Sequence, residues 1–119
     1  MTTLSIPGTL PSLNEYIDEC RRCKYAGAKM KKDATELVAW CAKGLPPAVG
    51  PVIVQCRFYV PNRRKDPDNV VAGATKFLLD GLVEGGVLPN DTMKWIGGLE
   101  FTWEVDEENP RIEVTLKGA

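Results

Sequence analysis

Residues 66–85 are the segment that most limits how this chain can fold. Asp66 and Pro67 suit a helix start, because aspartate caps helices and proline fits the first helical position. Gly85-Gly86 supplies the stop signal. An apolar stripe with helical spacing lies between these ends: Val70, Ala74, Phe77, Leu78, Gly81 and Leu82. The sequence therefore predicts one long helix against which the rest of the chain must pack.

Three other stretches alternate between apolar and polar residues, which is the pattern of strands with one buried face. They are residues 52–60, 99–105 and 112–116. The last two are joined by the turn-rich sequence EENP, so we expect an antiparallel hairpin with a solvent-exposed acidic face. Residues 2–6 are predicted to form a further short strand, which Pro7-Gly8 ends.

The remaining helical pattern lies near the N-terminus. Ser12 and Glu15 have capping-box spacing, and apolar residues then recur at helical intervals. We expect a break near Gly27 and a resumed helix that ends by Gly44 and Pro46-Pro47. The element order β-α-(α)-β-α-β-β favours an α+β fold, a mixed sheet with flanking helices.

Length and composition set the broad class. At 119 residues and 44% hydrophobic content, the chain has the size of one domain, residues 1–119, with one core. It holds no run of about 20 apolar residues, the length that spans a bilayer, and its first residues do not form a signal-peptide pattern. We therefore expect a cytoplasmic protein with no membrane partner.

The absence of histidine excludes a His general base, a Ser-His-Asp triad and a His-liganded zinc. Cys20-x-x-Cys23 is a single CxxC, so a zinc site would need Cys41 and Cys56 to converge on it. Reduced thiols are the default expectation. Glycine-rich nucleotide-binding loops are also missing.

Charge is divided between the two halves of the chain. Residues 1–65 carry a net charge of +6, and residues 66–119 carry −7. Composition alone therefore does not predict binding to a polyanion, unless the fold places the cations on one face or a divalent ion neutralises some of the carboxylates.

Acidic residues near the middle of the chain allow two interpretations. Asp66, Asp68 and Asp91 can supply oxygen ligands to a divalent cation, which would activate water and offset charge at a phosphodiester. They can equally be a helix cap, a first-turn charge and a turn residue. Asp80 can be a metal ligand or a surface partner of Lys76.

The run RRKDPDNVVAGATKFLLDGLVEGGVLPND, residues 63–91, resembles the core of RusA-type Holliday junction resolvases. In that family a basic stretch precedes a D-x-D-N motif, a K-x-x-x-D helix, a glycine-containing turn and a further aspartate. The N-terminal segment IPGTLPSLNEY, residues 6–16, is similar to an early segment of the same family. The resemblance covers most of the chain.

This resemblance implies a homodimeric, Mg²⁺-dependent, structure-specific endonuclease that cuts four-way DNA junctions in recombination and repair, with Mn²⁺ as a substitute metal. Asp66, Asp68 and Asp91 match the metal-binding acids. Lys76 matches the lysine that would stabilise charge on the phosphate. The stretch Arg63, Arg64 and Lys65 would contact DNA.

Two departures from the family pattern concern Lys76 and Asn90. The family lysine lies about four residues earlier, where this chain has Ala72, so Lys76 is displaced by about 6 Å along a helix. Asn90 stands where a second acid is familiar.

Asp91 poses a problem of reach. A helix over residues 66–85 is about 28 Å long, and residues 86–91 span at most about 20 Å. We expect this segment to run back along a somewhat bent helix toward Asp66 and Asp68. The other possibilities are a late helix start and a ligand from a partner subunit.

A second basic cluster precedes this region. It consists of Arg21, Arg22, Lys24, Lys29, Lys31 and Lys32. These cations are either solvated surface or a set of phosphate contacts for the junction arms.

Two alternatives to the resolvase remain. One is a non-catalytic DNA-binding or phage-associated accessory protein with the same fold. The other, a PD-(D/E)xK nuclease, is disfavoured because no D/E-x-K triplet follows Pro67-Asp68.

Overall fold

The computed structural model describes residues 1–118, which form an α+β fold as predicted. Within these residues there are three helices and four strands. In chain order they are β1 (Thr2–Pro7), α1 (Leu13–Arg22), α2 (Lys24–Cys41), β2 (Val52–Val60), α3 (Pro67–Glu84), β3 (Ile96–Val105) and β4 (Arg111–Gly118).

The four strands form one mixed sheet in the order β1-β4-β2-β3. Strand β4 is antiparallel to both β1 and β2, whereas β3 is parallel to β2. Parallel neighbours need a long crossover connection, and α3 provides it between β2 and β3. The mixed sheet of the sequence-based prediction is confirmed.

The predicted hairpin of the last two strands is wrong. Strands β3 and β4 are consecutive in sequence, but β2 lies between them in the sheet. The reason is the difference in burial: Ile112, Val114 and Leu116 of β4 are all buried, which suits a central strand. The apolar residues of β3 stay half-buried or exposed, which suits an edge.

The core lies between the sheet and the helices. Phe77, Leu78 and Leu82 of α3 are fully buried, so the predicted apolar stripe of this helix is confirmed. The sheet contributes alternate residues such as Val54, Cys56 and Val114. None of the helices in residues 1–118 is long and apolar enough to cross a membrane.

The sequence suggested a break between the first two helices near Gly27. The break falls at Cys23 instead. Cys23 is extended, with φ −169° and ψ 136°. Gly27 instead lies inside α2, where a Cβ would come 2.5 Å from the Cys20 sulfur. This glycine is used for close packing of α1 on α2 and does not end a helix.

Candidate metal and nucleic-acid site

The loop from β2 to α3 and the first turn of α3 carry the basic stretch and the first two aspartates, all of them exposed. Asp66 is the N-cap residue of α3, yet its side chain makes no capping hydrogen bond. Asp68 lies in the first helical turn, where the positive end of the helix dipole favours a negative group. Both carboxylates are therefore accessible to an ion from solvent.

The start of α1 packs against this part of α3. The backbone N–H of Asn14 donates to the side-chain oxygen of Asn69 at 2.8 Å. Gly73 allows the close approach, because a Cβ there would lie 2.4 Å from the Pro11 carbonyl oxygen. Ser12 and Glu15 form the predicted capping box. The asparagine of the D-x-D-N motif thus has a structural role in this chain.

Lys65 is held by an ion pair across 50 residues of sequence. Its Nζ lies 2.9 Å from a carboxylate oxygen of Glu15. The hydrogen bond from Lys65 keeps the pKa of Glu15 below its ordinary value. Lys65 is therefore already paired with a carboxylate, so its ammonium group is less available to an external anion than the guanidinium groups of Arg63 and Arg64, which form no ion pair among the described residues.

An apolar groove lies beside the same loop. Its volume is about 330 Å³, at the lower end of the range for small-molecule sites. The walls come from the end of β2, the first turns of α3 and Trp103 of β3, and Arg63 and Lys65 contribute cations. Sequence reasoning missed this groove, because no local pattern places Trp103 next to Pro67.

Lys76 lies two turns beyond Asp68 on α3 and is exposed. Eight residues of helix separate the two side chains by about 12 Å along the axis. Asp80, four residues further on, is half-buried. No ion pair joins Lys76 and Asp80 in the part of the chain that the structure describes.

Asp91 lies beyond the other end of α3. Val87 and Leu88 are buried, and both of their N–H groups donate to the carbonyl of Leu82. The Val87 carbonyl accepts from Ala48. Further on, the Trp95 carbonyl accepts from Val52, at the start of β2. The chain on both sides of Asp91 is thus fixed at the end of the sheet opposite Asp66 and Asp68.

The expected return of residues 86–91 along α3 is therefore wrong. Leu82 is 14 residues after Asp68, which is about 21 Å along the helix. Buried apolar side chains keep the chain there, because running back would expose Val87 and Leu88 to water. Across residues 1–118, no group of three or more acidic, cysteine or histidine side chains is arranged to hold a metal ion.

The second basic cluster lies at the end of α1 and along the first half of α2. All six of its cations are exposed. Two of them are engaged in ion pairs within their own helices, Arg22 with Glu19 at 3.0 Å and Lys29 with Asp33 at 2.8 Å. The other four members have no such partner among the described residues.

The cysteines are free thiols in very different surroundings. Cys56 is buried in the sheet, and burial raises its pKa to about 12. Cys20 and Cys23 are exposed, and N–H groups of Ala26 and Tyr25 lower the pKa of Cys23. A buried neutral thiol at Cys56 is a poor zinc ligand, since zinc binds the thiolate.

Sequence reasoning also missed the contacts of Asn69 and Gly73 with the start of α1. The asparagine of the motif and the glycine within the helix are both visible in the sequence, but the residues that they contact lie more than 50 positions away. No protein-family model and no curated protein matches this chain.

Proposed function

We propose that this protein is a RusA-like, Mg²⁺-dependent endonuclease that resolves four-way DNA junctions. One observation carries the proposal. The two segments that resemble the family, residues 6–16 and 63–91, touch each other through Asn14–Asn69, Glu15–Lys65 and the close approach at Gly73. Contact between the two segments is what a shared functional site would require.

The residues at the start of α3 fit the chemistry of this reaction. Asp66 and Asp68 offer exposed carboxylate oxygens, the ligands that Mg²⁺ prefers. When bound there, the metal would supply charge neutralisation and an acidified water. Arg63 and Arg64 would hold phosphates in register, and Lys76 would add a positive charge further along the DNA strand.

A homodimer would complete the ligand set. Within one chain, Asp91 is fixed toward the opposite end of α3 from Asp66 and Asp68. A two-fold related copy that placed its Asp91 loop beside the first copy's carboxylates would receive the first copy's loop in return, because a C2 contact is reciprocal. Two such composite centres would suit paired cuts at a junction.

The second candidate is a non-catalytic DNA-binding protein with the same fold. The separation of Asp91 from Asp66 and Asp68 within one chain favours it, since two carboxylates alone bind a divalent cation weakly. In that case Asp66 and Asp68 serve as an N-terminal helix residue and a dipole-compensating charge.

Cleavage of a synthetic four-way junction in Mg²⁺, Mn²⁺ or EDTA tests the first proposal. Asp68→Asn should reduce cutting by about 100-fold or more, on the scale of losing one group that stabilises transition-state charge. Asp18→Asn is the matched control, because Asp18 is an acid on α1 and the charge change is the same. Equal cutting by Asp68→Asn and the wild type refutes the role of Asp68. A wild type that binds the junction and never cuts it, in either metal, supports the non-catalytic candidate.

Mixed dimers test the composite centre. When Asp68→Asn and Asp91→Asn chains are co-expressed with different tags, each heterodimer has one centre with both changes and one with neither. Isolated heterodimers should then nick one strand at roughly half the wild-type rate, as two-fold symmetry requires. Inactive heterodimers would show that all three acids act within one chain.

A further inference from the structure

Strand β3 is an edge strand of ten residues. It pairs with β2 along its whole length on one side. Among residues 1–118 no strand pairs with its other side. Unpaired N–H and C=O groups along that side form a template for another strand.

The same strand carries an apolar stripe that the helices cover only in part. Leu99, Trp103 and Val105 are 41%, 49% and 42% exposed. They pair with Val54, Phe58 and Val60 of β2, so they lie on the face of the sheet that holds the core. Phe101, between them, packs on Phe58 with ring centroids 6.3 Å apart. The core face of the sheet therefore continues, half-covered, to the free edge.

Strand β3 has only part of the usual protection of an edge. Natural edge strands avoid pairing through charged side chains, proline, bulges or short length, and β3 carries Glu100 and Glu104 as its charged residues. The sequence IGGLEFTWEV contains neither lysine nor proline. Its register shift with β2 falls at the first residues, between Val52 and Ile53, and leaves the rest regular.

We propose that a second copy of this chain covers this edge, by antiparallel pairing of β3 with β3 of the partner around a two-fold axis at Phe101. This register places Leu99 opposite the partner's Trp103 and Phe101 opposite the partner's Phe101. Aromatic and aliphatic cross-strand pairs of this kind stabilise a sheet. The two four-stranded sheets become one sheet of eight strands.

The two glutamates on the outer face of β3 favour this register over its two immediate neighbours. An axis at Glu100 would oppose Glu100 to itself, and an axis at Thr102 would oppose Glu100 to Glu104. Like charges directly opposite each other are destabilising. An axis at Phe101 sets Glu100 against Thr102 and Glu104 against Gly98, so it is the one register of these three without opposed acids.

The same pairing would also bring the proposed metal ligands of the two copies together, a conclusion that rests on the proposed function. Antiparallel pairing brings the start of β3 in one copy beside the end of β3 in the other. Residues 89–95 precede the start, and the apolar groove with Trp103 lies near the end, next to Asp66 and Asp68. The loop that holds Asp91 is thereby directed to the partner's first two acids.

Cysteine cross-linking tests the register directly. Phe101→Cys, in a Cys20→Ser/Cys23→Ser background, sets two thiols opposite each other at about 4.5–5.5 Å between Cα atoms, within the range of disulfides. With copper phenanthroline and oxygen as the oxidant, each pair of thiols loses two protons and two electrons and forms an intersubunit disulfide. Val49→Cys, a fully exposed loop position, is the control and should stay monomeric on a non-reducing gel.

Sedimentation equilibrium with a charge exchange tests the pairing a second way. Leu99→Asp or Trp103→Lys alone should weaken the dimer by at least tenfold, since each buries an uncompensated charge. The double variant should recover the dimer, because the new carboxylate at position 99 of one copy would then face the new ammonium group at position 103 of the other. Both positions are well exposed, and circular dichroism checks that each variant folds.

The proposal is overturned if the chain is monomeric at all concentrations, if the dimer does not cross-link at position 101, or if the single charge variants dimerise as the wild type does. Junction cleavage separates this result from the function. A dimer through β3 that never cuts a junction leaves the interface standing and removes the endonuclease. If the wild type cuts junctions normally and the β3 variants dimerise as the wild type does, the endonuclease stands and the β3 interface is removed.

Discussion

The two ends of helix α3 are fixed in different ways. At its N-terminal end, contacts from α1 hold the helix through the Asn14–Asn69 hydrogen bond, the Glu15–Lys65 ion pair and the packing at Gly73. At its C-terminal end, buried Val87 and Leu88 and their backbone hydrogen bonds hold the chain. The first end leaves acids and cations exposed, while the second directs the chain into β3.

This difference shows why neighbouring motifs in a sequence need not meet in space. Different contacts hold the two ends of this stiff helix, which are about 27 Å apart. Asp91 belongs to the second anchor and Asp66 and Asp68 to the first. The proposed composite centre between two chains would leave both anchors intact.

The largest effect on stability is expected at the C-terminal anchor. Leu88→Ala should lower the free energy of unfolding by about 2–5 kcal/mol, the cost of a cavity in a packed core. Urea denaturation measures it. Val49→Ala is the control, since Val49 is fully exposed and its truncation should cost less than about 1 kcal/mol. Equal losses would mean that residues 86–91 are not anchored by burial.

A smaller effect is expected at the N-terminal anchor. Alanine at position 73 is a better helix former than glycine, but its Cβ would meet the backbone of Pro11 and Leu13 within 2.5 Å. Gly73→Ala should therefore destabilise the protein by about 1–3 kcal/mol, as overpacking does. The same denaturation series with Gly50→Ala, where a Cβ meets nothing within 4 Å, should show little change. A stabilised Gly73→Ala would contradict the close packing of α1 on α3.

The smallest effect concerns the ion pair and depends on pH. The folded state lowers the pKa of Glu15 from its ordinary value of 4.5. The charged form is therefore favoured by folding, so its contribution is fully present above about pH 4.5 and is lost as the pH falls through the lower folded-state pKa. Glu15→Gln should destabilise the protein at pH 7, by less than about 1 kcal/mol because the pair is exposed, and the loss should shrink at about pH 3.

Unfolding in urea at the two pH values gives this difference. Glu107→Gln removes the same charge from an exposed loop and should show no pH-dependent loss. A loss in Glu15→Gln that persists undiminished at the lower pH would assign the effect to the capping box, and not to the charge of Glu15.

Periodicity identified most elements, because it reports local burial. The long helix, the strand over residues 52–60 and the capping box at Ser12 follow from side-chain spacing and cap chemistry alone. Pairing between strands does not. Strands β3 and β4 have the turn and alternation of a hairpin, yet β4 is central and β3 is an edge, since the choice depends on the total burial each strand reaches with distant partners.

By itself, the sequence determined the helix start that carries Asp66 and Asp68, the cations before it, and the α+β class. These depend on interactions among residues close in the chain, such as caps, turns and the two periodicities. Only the tertiary structure decided that α1 rests on Gly73, that Asp91 lies beyond the far end of α3, and that β3 has a free apolar edge. Those features result from competition among distant segments for one core, and local spacing carries no record of its outcome.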